Sequence, residues 1–208
     1  MKIIPAILAK TYEEFEEMVR KVELFADLIH LDIADGEFVP NKTIDGIEEL
    51  KKINTDLNFE VHLMVKNPEN RIDKWLETKA VRYLVHQETT GDMDNLINMI
   101  KAAGREAGVV LNPPTDFKAV EPYLEKVNLV QFMTVDPGFY GSPFLPEVLE
   151  KIRKFRDRHP DKIIQVDGGI HSSTIKMVAD SGVNSAVLGS HIFSEGKDIR
   201  EVIKKLNV

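Results

Sequence analysis

Eight short apolar segments alternate with amphipathic ones along the whole chain, and this alternation restricts the possible folds more than any other feature. The segments are Lys2–Leu8, Leu28–Ile33, Phe59–Met64, Val81–His86, Ala107–Leu111, Leu129–Thr134, Lys162–Val166 and Ser185–Leu188. They are rich in Ile, Val, Leu and Phe and mostly end in turn residues, as strands do. Helical periodicity lies between them over Tyr12–Leu24, Pro68–Thr78, Asp92–Ala103, Pro146–Arg158 and Ser173–Ser181, and again near Asp198–Leu206. Ser142, Pro143 and Pro146 precede one helix, and Ser172, Ser173 and Thr174 offer caps for another. Strict βα alternation implies a parallel sheet with right-handed crossovers. Eight such units in 208 residues predict an α/β chain forming one (β/α)8 TIM barrel domain over residues 1–208. An open doubly wound sheet is the alternative.

Composition narrows the chemistry. The chain is 43% hydrophobic and 29% charged, enough to bury one sizeable core. Its net charge of −7 argues against a nucleic-acid surface. The acidic residues are spread over helical stretches such as Tyr12–Glu17 and Glu147–Arg156, which read as solvated outer faces. The apolar runs are too short to span a bilayer, and the opening MKIIPAIL reads as a first strand and not a signal peptide. With no cysteine there is no disulfide and no zinc–thiolate site. Any metal must take His and carboxylate ligands. A cytoplasmic setting is expected, without membrane or nucleic-acid partners.

In such a barrel the active site lies at the C-terminal ends of the strands. Three of the predicted strands end in polar residues. The second reads His30-Leu31-Asp32-Ile33, so His30 and Asp32 share one face while Leu31 and Ile33 take the other. The third places His62 and Met64 on one face, and the seventh places Gln165 and Asp167 on one face. Inward-facing His and Asp are costly to bury unless they are paired or bind a cation. His30, Asp32, His62 and Asp167 together make a plausible N₂O₂ site for one divalent Zn, Mn, Fe or Co ion.

Glycines supply a second signal. Asp136-Pro137-Gly138-Phe139-Tyr140-Gly141 follows the sixth strand, Gly168-Gly169 the seventh, and Gly189-Ser190 the eighth. Late barrel loops commonly bind phosphate through backbone N–H groups and helix N-termini.

The segments HLDIADGEFVPN (His30–Asn41), VHLMVKNPE (Val61–Glu69), LNPPT (Leu111–Thr115), MTVDPGFYGSPF (Met133–Phe144), VDGGI (Val166–Ile170) and LGSHIF (Leu188–Phe193) resemble, in order, the ribulose-phosphate 3-epimerase family. The resemblance implies the ribulose-phosphate-binding type of barrel. It implies a reversible inversion at C3 of a ketose phosphate, D-ribulose 5-phosphate to D-xylulose 5-phosphate, in the pentose phosphate pathway. By the same resemblance His30, Asp32, His62 and Asp167 are metal ligands, and Asp32 and Asp167 are also the acid/base pair. His62, Gly138, Phe139, Tyr140, Gly141, Gly168, Gly169, Gly189 and Ser190 fall on substrate and phosphate contacts. Met64, Met133, Ala6, Ala34 and His86 fall on the pocket wall. The implied partner is a small phosphorylated sugar, and a homo-oligomer is expected. Inverting a carbon beside a carbonyl needs a base on one face and an acid on the other, and a cation to stabilise the enediolate.

The chain departs from the family pattern at several pocket positions. The family's Ser is replaced by Ala6 and its Met by Ala34, while Tyr140, Ser142 and His191 stand where other residues are usual. Ala6 and Ala34 are expected to enlarge the pocket, and Tyr140 could fill it on another side. A hexulose phosphate, as in the allulose-6-phosphate 3-epimerase branch, therefore stays open, as does a non-catalytic barrel that binds metal and phosphate. The decarboxylases and synthases of the wider phosphate-binding group carry Asp-x-Lys-x-x-Asp on strand three. FEVHLMV has no lysine there.

Overall fold

The computed structural model describes residues 1–89, 91–139, 141–193 and 199–206. Eight parallel strands close into a barrel in chain order. They are β1 (Lys2–Ile7), β2 (Leu28–Ala34), β3 (Asn58–Met64), β4 (Arg82–His86), β5 (Glu106–Leu111), β6 (Leu129–Met133), β7 (Ile163–Asp167) and β8 (Ser185–Leu188). β1 pairs with β8 over Lys2↔Ser185 to Pro5↔Leu188, which closes the ring and excludes the open sheet.

The outer layer holds α1 (Tyr12–Val22), α2 (Ile47–Lys52), α3 (Ile72–Leu76), α4 (Met93–Ala102), α5 (Val148–Arg158), α6 (Ile175–Ala179), α7 (Ser190–Phe193) and α8 (Ile199–Leu206). α1 shows how sequence sets such a helix. Thr11 caps the N–H of Glu14, and Glu14 reaches back to the N–H of Lys10. Phe15, Val19 and Val22 recur at helical spacing and are the buried face. None of the described helices is long and apolar enough to cross a membrane.

Several expected boundaries moved. Pro68–Thr78 is not one helix. A 3₁₀ turn at Pro68–Asn70 is followed by Arg71 at φ −141°, outside helical geometry, and only then by α3. The expected Ser173–Ser181 helix shortens to Ile175–Ala179. The crossover between β5 and β6 is a 3₁₀ segment, Phe117–Tyr123, with Pro122 inside it, and proline lacks the N–H that an α-helix would use there. The last helix starts at Ile199, Asp198 lying outside the described residues.

The main core lies between the sheet and the helices. Ile29, Leu31 and Ile33 of β2, and Phe59, Val61 and Leu63 of β3, point into it. The alternate residues point into the barrel. There Ile4, Ala6, Leu28 and Val187 form one small apolar group, and Leu84, Val110, Leu129, Met133 and Val135 another. The remaining interior is polar: His30, Asp32, Glu60, His62, Gln131, Gln165, Asp167 and Ser185 are all buried.

Candidate metal centre and pocket

Strand register brings the four expected ligands together. Asp32 lies beside His62 across β2 and β3, and Asp167 ends β7 beside Met133 of β6. One ligand atom from each of His30, Asp32, His62 and Asp167 lies within 4.8 Å of the others. All four residues are buried.

The donor set fits a divalent cation of intermediate softness: two imidazole nitrogens and two carboxylate oxygens. His30 Nε2 adds a second sign, being buried with no hydrogen-bond partner. It lies 3.3 Å from Asp32 Oδ1 and 3.6 Å from Asp167 Oδ2, aimed at the space between the carboxylates. Buried polar atoms are normally satisfied, so an orphan facing three other ligands points to a missing partner.

The electrostatics agree. Burial alone would lower the His30 imidazole, but the nearby charge of Asp32, with Glu60 and Asp167, carries it well above its ordinary range. Burial works against the Asp32 carboxylate, yet His30 and then His62 hold it below the usual carboxylate range. Asp167 goes the other way. Burial pushes it up, His30 opposes, the negative charge of Asp32 adds, and it reaches about 6. Two adjacent carboxyl groups thus differ in their hold on a proton, and a protonated His30 supplies positive charge where a cation would sit.

Each ligand histidine has a partner behind it. His30 Nδ1 lies 2.7 Å from Glu60 Oε1. His62 faces Asp32 Oδ1 at 2.9 Å with Nδ1, and His86 Nε2 at 2.8 Å with Nε2. His86 is fully buried under the ring of Phe38, centroids 4.8 Å apart. Burial chiefly, with Glu88 opposing, lowers it to about 4, so it stays neutral and shares one proton with His62. Gln131 Nε2 donates to Asp167 Oδ2 at 3.3 Å.

A cavity opens over the centre. Asp32 and Asp167 reach it, as do Ala6, Met64 and Met133. Its other side is formed by Gly138, Phe139, Gly141, Gly168, Gly169, Gly189 and Ser190. Gly168 and Gly169 have φ of 108° and 66°. A Cβ on Gly169 would stand 2.9 Å from Phe144 Cα, and one on Gly168 would stand 2.3 Å from Val135 Cγ2. Only glycine allows the chain to turn so tightly against its neighbours.

Not every expected wall residue is on this surface. Ala34 packs with Val39 and Met64, away from the cavity lining, so its small size does not widen the pocket. His86 stands behind His62 and is not among the residues that line this cavity. His30 and His62 are wholly buried and meet the cavity only through the carboxylates beside them. Tyr140 lies outside the described residues.

Sequence reasoning does not single out Glu60, Gln131 or Glu88. A signal for the first was present: Glu60, His62 and Met64 alternate on one face of β3. Gln131 is likewise two residues before Met133, and Glu88 two after His86.

Residues 2–193 match the sequence profile of the ribulose-phosphate 3 epimerase family. The chain is 41% identical to a cytoplasmic isoform of ribulose-phosphate 3-epimerase from Oryza sativa subsp. japonica, over 99% of this chain and 92% of that one. It is 36% identical to the ribulose-phosphate 3-epimerase of Bacillus subtilis, over 99% and 98%. Among solved structures, a 3-hexulose-6-phosphate synthase superposes with a TM-score of 0.72 at 21% identity, covering 99% of this chain and 98% of that one. The orotidine 5'-phosphate decarboxylase of Pyrococcus horikoshii OT3 gives 0.70 at 16% identity, covering 99% of each. Those two likenesses concern the barrel alone. The profile covers nearly the whole barrel and the relatives align end to end, so the chain is an isomerase that belongs to the ribulose-phosphate 3-epimerase family.

Proposed function

We propose that this protein inverts C3 of a ketose phosphate, converting D-ribulose 5-phosphate and D-xylulose 5-phosphate into one another. The observation that carries this reading is the pair of buried carboxyl groups, Asp32 from β2 and Asp167 at the end of β7, that both reach the cavity floor. Two carboxyl groups from different strands can address one substrate carbon, one as base and the other as acid. One removes the C3 proton on its face of the sugar, and the other returns a proton on the opposite face. In the reverse direction the roles exchange.

A single Zn, Mn, Fe or Co ion held by His30, Asp32, His62 and Asp167 would supply positive charge against the negative charge that develops on the substrate oxygens. Met64 and Met133 present apolar surface beside the carboxylates, limiting their hydration and so favouring proton transfer over solvation. The phosphate is assigned to the opposite side of the cavity. There the backbone of Gly168, Gly169, Gly189 and Ser190 approaches without side chains in the way. The chain is further read as one barrel domain over residues 1–208, acting in the cytoplasm.

Ala6 supports a second substrate. It lines the cavity and offers neither bulk nor a hydroxyl, which leaves room for the extra carbon of a hexulose phosphate. The test is proton exchange. The metal-loaded protein is incubated in D₂O with ribulose 5-phosphate or with allulose 6-phosphate, and deuterium at C3 is followed by NMR. Exchange and inversion with the pentulose, lost in Asp32→Asn and Asp167→Asn, are expected. Faster exchange with the hexulose would reassign the substrate. No exchange with either, despite metal binding, would leave a binding barrel and overturn the catalytic reading.

A further inference from the structure

Glu60 is wholly buried inside the barrel, two residues before His62 and level with His30 in the β2–β3 register. A carboxylate in such a place is costly unless every oxygen is used. Here each is. Oε1 accepts from His30 Nδ1 at 2.7 Å and from Gln165 Nε2 at 2.6 Å, and Oε2 accepts from Arg82 Nη1 at 2.7 Å. Arg82 is the lower end of this chain of contacts. It also donates to Glu106 at 2.7 Å near the opposite rim of the barrel. Gln165 cannot flip, because its Oε1 accepts from Ser185 Oγ at 2.9 Å while its Nε2 also donates to Gln131 Oε1 at 2.8 Å. Gln131 in turn donates to Asp167.

Arg82 and Gln165 can only donate to Glu60, so Glu60 is an acceptor toward all three partners. When the ring is neutral, as it must be to bind a cation, His30 then carries its one proton on Nδ1. That leaves the Nε2 lone pair facing Asp32 and Asp167, the orphaned position described above.

We propose that Glu60 is a positioning residue for the metal centre, setting the tautomer and orientation of His30, with Arg82 and Gln165 holding it in place. The inference rests on the metal-site reading. Partners of this kind behind a ligand histidine typically change metal affinity or activity by about 10–100-fold.

The test is Glu60→Gln in the full chain. An amide keeps the shape but has one acceptor oxygen, so it must turn its NH₂ toward either Arg82 or His30. Zinc affinity is measured by competition with a chromophoric chelator. The His30 tautomer is read from ¹⁵N shifts of the ring in metal-free protein, at a pH where the imidazole is neutral. Expected results are zinc binding weakened about 10–100-fold and a His30 population shifted away from Nδ1–H. Should E60Q unfold because Arg82 loses its partner, E60L/R82M replaces the buried pair with apolar side chains, leaves His30 Nδ1 without an acceptor, and is measured in the same way. Folded variants with unchanged zinc affinity and unchanged tautomer would overturn the assignment. If wild-type protein binds no zinc, the metal reading fails, and the tautomer measurement alone still decides whether Glu60 controls His30.

Discussion

Asp167 offers a case in which losing function should raise stability. Its carboxyl rises from 3.8 to about 6, burial being the first cause, with His30 opposing and the charge of Asp32 adding to it. In metal-free protein at pH 7.5 it is ionised in a place that favours its neutral form. The gap of about two pH decades corresponds to about 3 kcal/mol, at about 1.36 kcal/mol per decade. Asp167→Asn removes that charge and keeps an oxygen for the bond from Gln131 Nε2. Metal-free D167N should therefore be more stable than wild type by up to about 3 kcal/mol, while epimerisation and tight metal binding disappear. Urea denaturation in EDTA at pH 7.5 and at pH 4 measures this. An acid raised on folding binds more protons in the native state between its two pKa values, so its contribution declines as pH rises from 3.8 to about 6. The gain in D167N should be present at pH 7.5 and nearly absent at pH 4. A metal-free D167N as stable as wild type or less so at pH 7.5 would refute the reasoning.

Other outcomes follow from the same geometry. His30 rises well above 6.5 on folding, so its contribution is full below 6.5 and is lost as pH climbs through its folded value. Metal-free wild type should thus weaken further on the alkaline side, as thermal unfolding against pH would show. Asp32, held low, contributes above 3.8 and loses that contribution as pH falls toward its folded value. Ala6→Ser places a hydroxyl on the cavity wall, and one added hydrogen bond of about 0.5–1.5 kcal/mol should raise kcat/KM on the pentulose phosphate several-fold; steady-state kinetics decide it. Gly169→Ala forces a side chain to φ 66° and to within 2.9 Å of Phe144 Cα, so a loss of at least about 2 kcal/mol is expected in denaturation. Chelation should abolish epimerisation, and zinc at 100 times its Kd should restore it and add about 2.7 kcal/mol of apparent stability.

The legibility of this chain differs from place to place, and for physical reasons. The strands were readable because each is short, apolar and bounded by turn residues. Helix ends were less so. Pro68–Thr78 looks continuous in periodicity, yet Arg71 leaves helical geometry between the 3₁₀ turn and α3, a break that the spacing of apolar residues does not encode. Pro122 by itself does not tell that the crossover between β5 and β6 forms a 3₁₀ segment and no α-helix.

The amino-acid sequence by itself determined the order of the eight strands, which residues share a face on the second, third and seventh, and the residue types at their upper ends. Those follow from local periodicity, which needs no partner. It also placed His30, Asp32, His62 and Asp167 on inward faces. Only the tertiary structure decided which inward residues meet. Barrel closure and strand stagger put Glu60 against His30 and Gln165, 105 residues further on. They put His86 behind His62 and turned Ala34 away from the cavity. The reason is that a strand's own period of two says which way a side chain points, but the register with its neighbours says at what height it arrives.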